Sequence, residues 1–147
     1  MDNLYFDVDG VLANFHEIKD GWKFAKGYNF IRNLKPFMAN VALVNALVEK
    51  DSNSVYICSL VASEQARQAR LEWLKEYIPN LKAENIILIV GSGKKYEYIK
   101  TSMGTLIDDK ESNCKQWTKA GYKAIYLEEK GGTIDLSNYY INIKARA

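Results

Sequence analysis

Two aspartates stand one residue apart in DVDGV (7–11), and two more stand side by side in LIDD (106–109). Each pair is set in apolar context: Leu4, Tyr5 and Phe6 precede Asp7 and Asp9, and Leu106 and Ile107 precede Asp108 and Asp109. Burying carboxylates costs free energy unless something compensates them. Between the pairs lie Ser59, at the end of the apolar run VYICS (55–59), and Lys94 and Lys95 in GSGKKYEYI (91–99). Two unit charges about 4 Å apart repel by ~4 kcal/mol at an effective dielectric near 20, so four clustered aspartates call for a cation. Hard oxygen donors, with no histidine or thiolate among them, favour Mg²⁺. Mg²⁺ keeps open positions for waters and phosphate oxygens, so the implied substrate is a phosphate.

These side chains meet only if the backbone carries them to one edge. Short apolar runs at 3–8, 54–59, 86–90, 105–108 and 123–128 read as strands. Helical patterns separate them. Phe37, Val41, Val44 and Val48 recur at helical spacing from Pro36 to about Lys50, and Ser63 caps a helix whose apolar face is Ala66, Ala69, Trp73, Leu74 and Tyr77. A short helix over 94–103 and another over 111–120 complete the alternation, and the tail at 133–144 reads as an edge strand. Strand and helix repeated this way predict an α/β fold, a doubly wound Rossmann-like parallel sheet with helices on both faces. In such sheets ligands bind beyond the carboxyl ends of the strands, where the strand order reverses. Asp7 and Asp9 follow the first strand, Ser59 the second, and Asp108 and Asp109 the fourth, while the lysines open the helix after the third.

One segment breaks the alternation. Residues 14–35 contain Phe15, Trp22, Phe24, Tyr28 and Phe30 without clean periodicity and read as an insertion after the first strand, in an otherwise single domain of 147 residues. His16, the only histidine, reads as a surface residue of that insertion. Cys58 and Cys114 are too few and too isolated for a disulfide framework or a zinc site, and the expected compartment is the cytosol. A net charge of +2 gives no argument for a nucleic-acid or membrane partner, and no run approaches the roughly 20 apolar residues of a membrane span.

Taken singly, each aspartate reads as a turn residue, and Trp73 and Trp117 read as core. DVDG is not a calcium-binding loop, because Leu12 stands where the required glycine belongs. GSGKK is not a phosphate-binding P-loop, because Leu88 replaces the first glycine and Lys95 the Ser/Thr. The order of motifs also excludes a response-regulator receiver, whose second acid group precedes its lysine.

With DVDGV, VYICS, GSGKKYEYI and LIDD in this order, the chain resembles the haloacid dehalogenase-like phosphohydrolases from about Asn3 to Leu127. DGVLANF, ICS and LIDD are most similar to the 5′(3′)-deoxyribonucleotidase branch, with 14–35 as a shortened cap. The resemblance implies a Mg²⁺-dependent phosphatase for a small phosphomonoester, a nucleoside monophosphate in that branch. It implies Asp7 as nucleophile, forming an aspartyl-phosphate, and Asp9 as the acid and base that serves the leaving group and the water. It also implies a metal held by Asp7, Asp9 through its backbone carbonyl, and Asp108 and Asp109. Ser59 and one of the two lysines would bind the phosphoryl group. Lys95 is the preferred lysine, because Tyr98 and Ile99 follow it at helical spacing. Phe15 would stack on a base, or else pack the insertion with Trp22, Phe24, Tyr28 and Phe30. A sugar phosphatase and a non-catalytic phosphate- or partner-binding module are the alternatives.

Overall fold

The first strand of the sheet, β1 (Leu4–Phe6), is only three residues long and buried throughout, because it lies at the centre. It pairs in parallel with β2 (Val55–Val61) on one side, Leu4 against Val55, and with β4 (Thr105–Asp108) on the other, Leu4 against Thr105. β3 (Ile86–Val90) adds outside β2 and β5 (Lys123–Tyr126) outside β4, giving the all-parallel order β3-β2-β1-β4-β5. The structure is a computed structural model that describes residues 2–136.

Alternation along the strands divides the core in two. Leu4, Phe6, Val55, Ile57 and Ile107 face a larger cluster with Val44 and Leu47 of α2 (Met38–Lys50) and Ala66, Ala69 and Trp73 of α3 (Glu64–Tyr77). Tyr5, Tyr56, Cys58 and Leu106 face a smaller cluster with Trp117 of α4 (Glu111–Lys119). Covering both faces explains why the strands are continuous apolar runs. Each fully buried large side chain stabilises by roughly 1.5–3 kcal/mol, and the two core tryptophans also satisfy their ring N–H. Trp73 donates to the Leu34 carbonyl at 2.8 Å and Trp117 to that of Gly104 at 3.0 Å. The Ser63 hydroxyl accepts from the Ala66 N–H at 3.0 Å and caps α3 as expected.

β1 spans less than the expected 3–8, and four further elements differ from the sequence expectation. β2 runs two residues past Ser59, because the apolar run of β3 offers Ile89 and Val90 as partners for Leu60 and Val61. The expected helix over 94–103 is a single 3-10 turn, Lys95–Tyr98, since the Lys100 N–H that would continue it donates to the Tyr5 hydroxyl at 3.1 Å. β5 stops at Tyr126, short of the expected 128. Residues 133–136 form no strand: the Ile134 N–H is taken by Oδ1 of buried Asn40, at 3.3 Å, while Asn40 Nδ2 donates to the Val11 and Gly132 carbonyls. The rest of the expected edge strand, 137–144, lies outside the described residues.

The segment at 14–35 holds a 3-10 turn, Gly21–Lys23, and the short helix α1 (Tyr28–Arg32). It is fastened to α3. The Tyr28 hydroxyl donates to Glu72 at 2.8 Å, Arg32 pairs with Glu76 at 2.7 Å, and the Ser63 hydroxyl donates to the Lys26 carbonyl at 2.7 Å. Among the described residues, no helix is long and apolar enough to cross a membrane.

Candidate active site

The strand order reverses at β1, so a crevice opens between the carboxyl ends of β1 and β4. Asp7 leaves β1 there, its N–H still bound to the Ile107 carbonyl at 2.9 Å, and Asp108 ends β4. Lys95 closes the gap from the opposite side. Its ammonium lies 2.9 Å from Asp7 Oδ1 and 2.7 Å from Asp108 Oδ2, and all three residues are buried. Lys94, its neighbour, is exposed. Ile99 packs on the smaller core cluster, whereas Tyr98 is exposed, so the turn is anchored through one of the two residues that the spacing suggested.

Burial pushes the Asp7 carboxyl up from 3.8 to about 6; Lys95 pulls it down, and Asp109 and Asp9 push it further up. Asp108 is raised for the same reason, with Asp7 as the second cause. For Lys95, burial opposes the charge, but Asp7 and Asp108 outweigh it and hold the pKa above the ordinary lysine value. Lys95 is thus an ammonium throughout the physiological range. Asp108 accepts three hydrogen bonds: Oδ1 from the Lys110 N–H at 2.9 Å, and Oδ2 from Asn113 at 3.0 Å as well as from Lys95, which leaves Oδ1 a free lone pair.

The backbone between Asp9 and the next apolar residues turns at Gly10, whose φ of 83° favours glycine. A Cβ there would also run into the Asp109 carboxylate. Gly131, likewise with positive φ, donates its N–H to the Gly10 carbonyl at 2.7 Å. That contact sets Lys130 beside the acids, its Nζ 2.8 Å from Asp109 Oδ2. His16 is exposed, as expected of a surface residue, and its Nε2 is also 3.3 Å from the same oxygen, so it has a partner in the site. Asp9 pairs elsewhere: Arg70 of α3 donates to its Oδ1 at 2.6 Å.

Four acids therefore meet three protein cations, Lys95, Arg70 and Lys130. The repulsion that called for an outside cation is largely met from within. What still fits a metal is the donor set, since oxygens of Asp7, Asp108 and Asp109 lie within 4.8 Å of one another and offer only hard ligands. The Asp9 carboxylate stands outside that set, on Arg70.

The acids open into a pocket of about 420 Å³, lined by Asp7, Asp9, Ser59, Lys95, Asp109 and Lys130 among others. Ser59 is buried, and among the described residues its hydroxyl makes only a long contact, 3.4 Å to the Leu60 carbonyl. Phe15 lines a second cavity of about 100 Å³, bounded also by Asp9, Leu60 and Arg70. Its ring stands edge-on to Phe30 at 5.6 Å and to His16 at 5.3 Å. The sequence motifs do not include Arg70 or Lys130. Arg70 was legible as a charge on the apolar stripe of Ala66, Ala69 and Trp73. Lys130 was legible by carrying the strand-end rule on to the fifth strand.

Five parallel strands, an order that reverses at β1, and acids gathered beyond β1 and β4 define a doubly wound, Rossmann-like α/β fold with its site at the switch point. Among solved structures, the chain is similar to a haloacid dehalogenase-like family hydrolase from Streptococcus pneumoniae, with a TM-score of 0.53 at 12% identity over 95% of this chain and 90% of that one. No protein-family model and no curated protein sequence matches it. At that identity the likeness is one of fold.

Proposed function

We propose that the protein is a Mg²⁺-dependent phosphatase of the haloacid dehalogenase-like type, acting on a small phosphomonoester. The observation that carries this reading is the buried Asp7–Lys95–Asp108 arrangement at the switch point, with Asp9 two residues on. Asp7 has one oxygen on Lys95, and its carboxylate attacks phosphorus as the ester P–O bond breaks, leaving an aspartyl-phosphate. Asp9 gives the leaving oxygen its proton and then takes one from the water that hydrolyses the acyl phosphate. Lys95 and the Ser59 hydroxyl face the phosphoryl oxygens. A Mg²⁺ held by Asp7, Asp108 and Asp109 would supply the remaining positive charge that an anion attacking a phosphate needs.

The finer reading is a nucleoside monophosphate as substrate, with 14–35 as a short lid in a cytosolic, single-domain enzyme. Support comes from Phe15, which borders Asp9 on the leaving-group side. A base stacked on an aromatic ring gains roughly 1–3 kcal/mol. A screen of nucleoside monophosphates, sugar phosphates and 4-nitrophenyl phosphate, with Mg²⁺ and with chelator, tests both levels. Phosphate release that needs Mg²⁺ is expected, with Phe15→Ala losing about 5- to 150-fold in kcat/KM on the nucleotide alone. Sugar phosphates outrunning every nucleotide would overturn the finer reading. No hydrolysis of any ester would overturn the phosphatase.

A further inference from the structure

α3 carries a group that the reaction above leaves unused. Arg70 is fully buried on the face it shares with Ala66, Ala69 and Trp73, where packing alone would choose an apolar side chain. Desolvating a guanidinium is expensive, and replacing a buried ion pair by apolar residues is often stabilising, so stability gives little reason to have it there. Its contacts are also uneven. Nη2 donates to Asp9 Oδ1 at 2.6 Å, short even for a charge-assisted bond, while Nε and Nη1 are buried with no hydrogen-bond partner among the described residues. A guanidinium placed for its own satisfaction would close a two-pronged pair with the carboxylate. This one uses a single N–H on a single oxygen.

The consequence falls on Asp9. Its Oδ1 is anchored, and its Oδ2 has no hydrogen-bond partner among the described residues. Asp9 and Leu60 are also the two residues common to the 420 Å³ pocket and the 100 Å³ cavity. An aspartate on a loop, a quarter exposed, has rotamers to choose from. An acid that must meet a leaving oxygen within about 2.6–3.2 Å does not. The anchor is enclosed: Arg70 is fully buried, with the Trp73 ring centroid 6.0 Å from its guanidinium carbon.

We propose that Arg70 is a positioning residue that holds the Asp9 carboxyl by one oxygen and presents the other to the leaving group. The proton passes from Asp9 Oδ2 to the ester oxygen as its bond to phosphorus breaks, and the water of the second step returns a proton to the same atom. This inference rests on the acid–base role given to Asp9 above.

Steady-state kinetics with Mg²⁺ on two esters separates the possibilities: 4-nitrophenyl phosphate, whose leaving group needs little protonation, and glycerol phosphate, whose alkoxide does. Positioning supplies part of the 10²–10⁴-fold that acid catalysis gives. Arg70→Met should therefore lower kcat on glycerol phosphate by about 10- to 100-fold, and on the aryl ester by less than about 3-fold, with KM little changed on either. Added millimolar guanidinium should restore part of the loss in Arg70→Ala, whose deleted side chain opens onto the 100 Å³ cavity. Equal losses on both esters, or no loss, would overturn the positioning role in an active enzyme. If Arg70→Met does not stay folded at the assay temperature, Arg70→Lys decides: it keeps the charge, but its shorter side chain stops short of the point from which Nη2 reaches Asp9, and an unchanged ratio of the two esters overturns the proposal. An inactive wild type would remove the phosphatase and this inference together.

Discussion

Replacing Lys95 by methionine removes the one cation that Asp7 and Asp108 share and leaves two buried carboxylates facing each other. Methionine keeps most of the apolar stem, so the loss is electrostatic rather than a cavity. Breaking a buried pair from one side typically costs about 3–5 kcal/mol, a large part of the 5–15 kcal/mol that holds a domain of this kind together. The cost has a pH signature. In the metal-free protein Asp7 already titrates near 6, against 3.8 when unperturbed. The native state therefore holds a proton that the unfolded chain has lost, and stability declines as pH rises from about 4 to 6. Without Lys95 the largest pull on both acids is gone, with the Lys110 N–H still holding Asp108 down, so both move further up and the decline extends to higher pH. Urea unfolding of wild type and Lys95→Met in chelator, at pH 5 and pH 8, measures the difference. The variant should lose a few kcal/mol at pH 8 and clearly less at pH 5. A loss under about 1 kcal/mol at pH 8, or one larger at pH 5, would refute the account of how these charges are balanced.

Asp7→Asn should abolish phosphate release, because an amide neither attacks phosphorus nor binds a hard cation. It should nonetheless raise the melting temperature in chelator, since it removes a desolvated charge and leaves Lys95 its partner Asp108. Millimolar Mg²⁺ should raise the melting temperature of the wild type and have little effect on Asp7→Asn, because a ligand bound only by the native state stabilises it. Gly10→Ala should destabilise by about 2 kcal/mol or more in urea unfolding. The left-handed backbone costs a Cβ about 1–2 kcal/mol, and the Asp109 carboxylate must also move.

The sheet was legible because its strands are buried on both faces and leave uninterrupted apolar runs, and because Gly, Pro and Ser63 mark the breaks. The acids were legible through one rule about strand ends, applied to the first and fourth strands. What escaped was the identity of their partners. Arg70, Lys130 and His16 come from a helix face, a loop after β5 and the 14–35 segment, and no spacing in sequence links them to Asp9 or Asp109. Lone polar atoms recruited from distant segments, as with Tyr5 ending the turn after Lys95 or Asn40 holding Ile134, are likewise set by tertiary geometry. Local pattern is silent about them.

The central place of β1 has a consequence for how the chain is made. Its partners arrive late: Val55 is the first residue to pair with Leu4 on one side, and Thr105, a hundred residues downstream, is the first on the other. At 5–20 residues per second, synthesis of that stretch takes roughly 5–20 s, during which the strand carrying Leu4, Tyr5 and Phe6 lacks at least one neighbour. An open edge of such composition invites pairing with other chains. Growing chains halted between β2 and β4 should therefore engage chaperones or aggregate, and chains that have passed β4 should not. The strand that delivers Asp7 to the site is also the one that must wait longest to be enclosed.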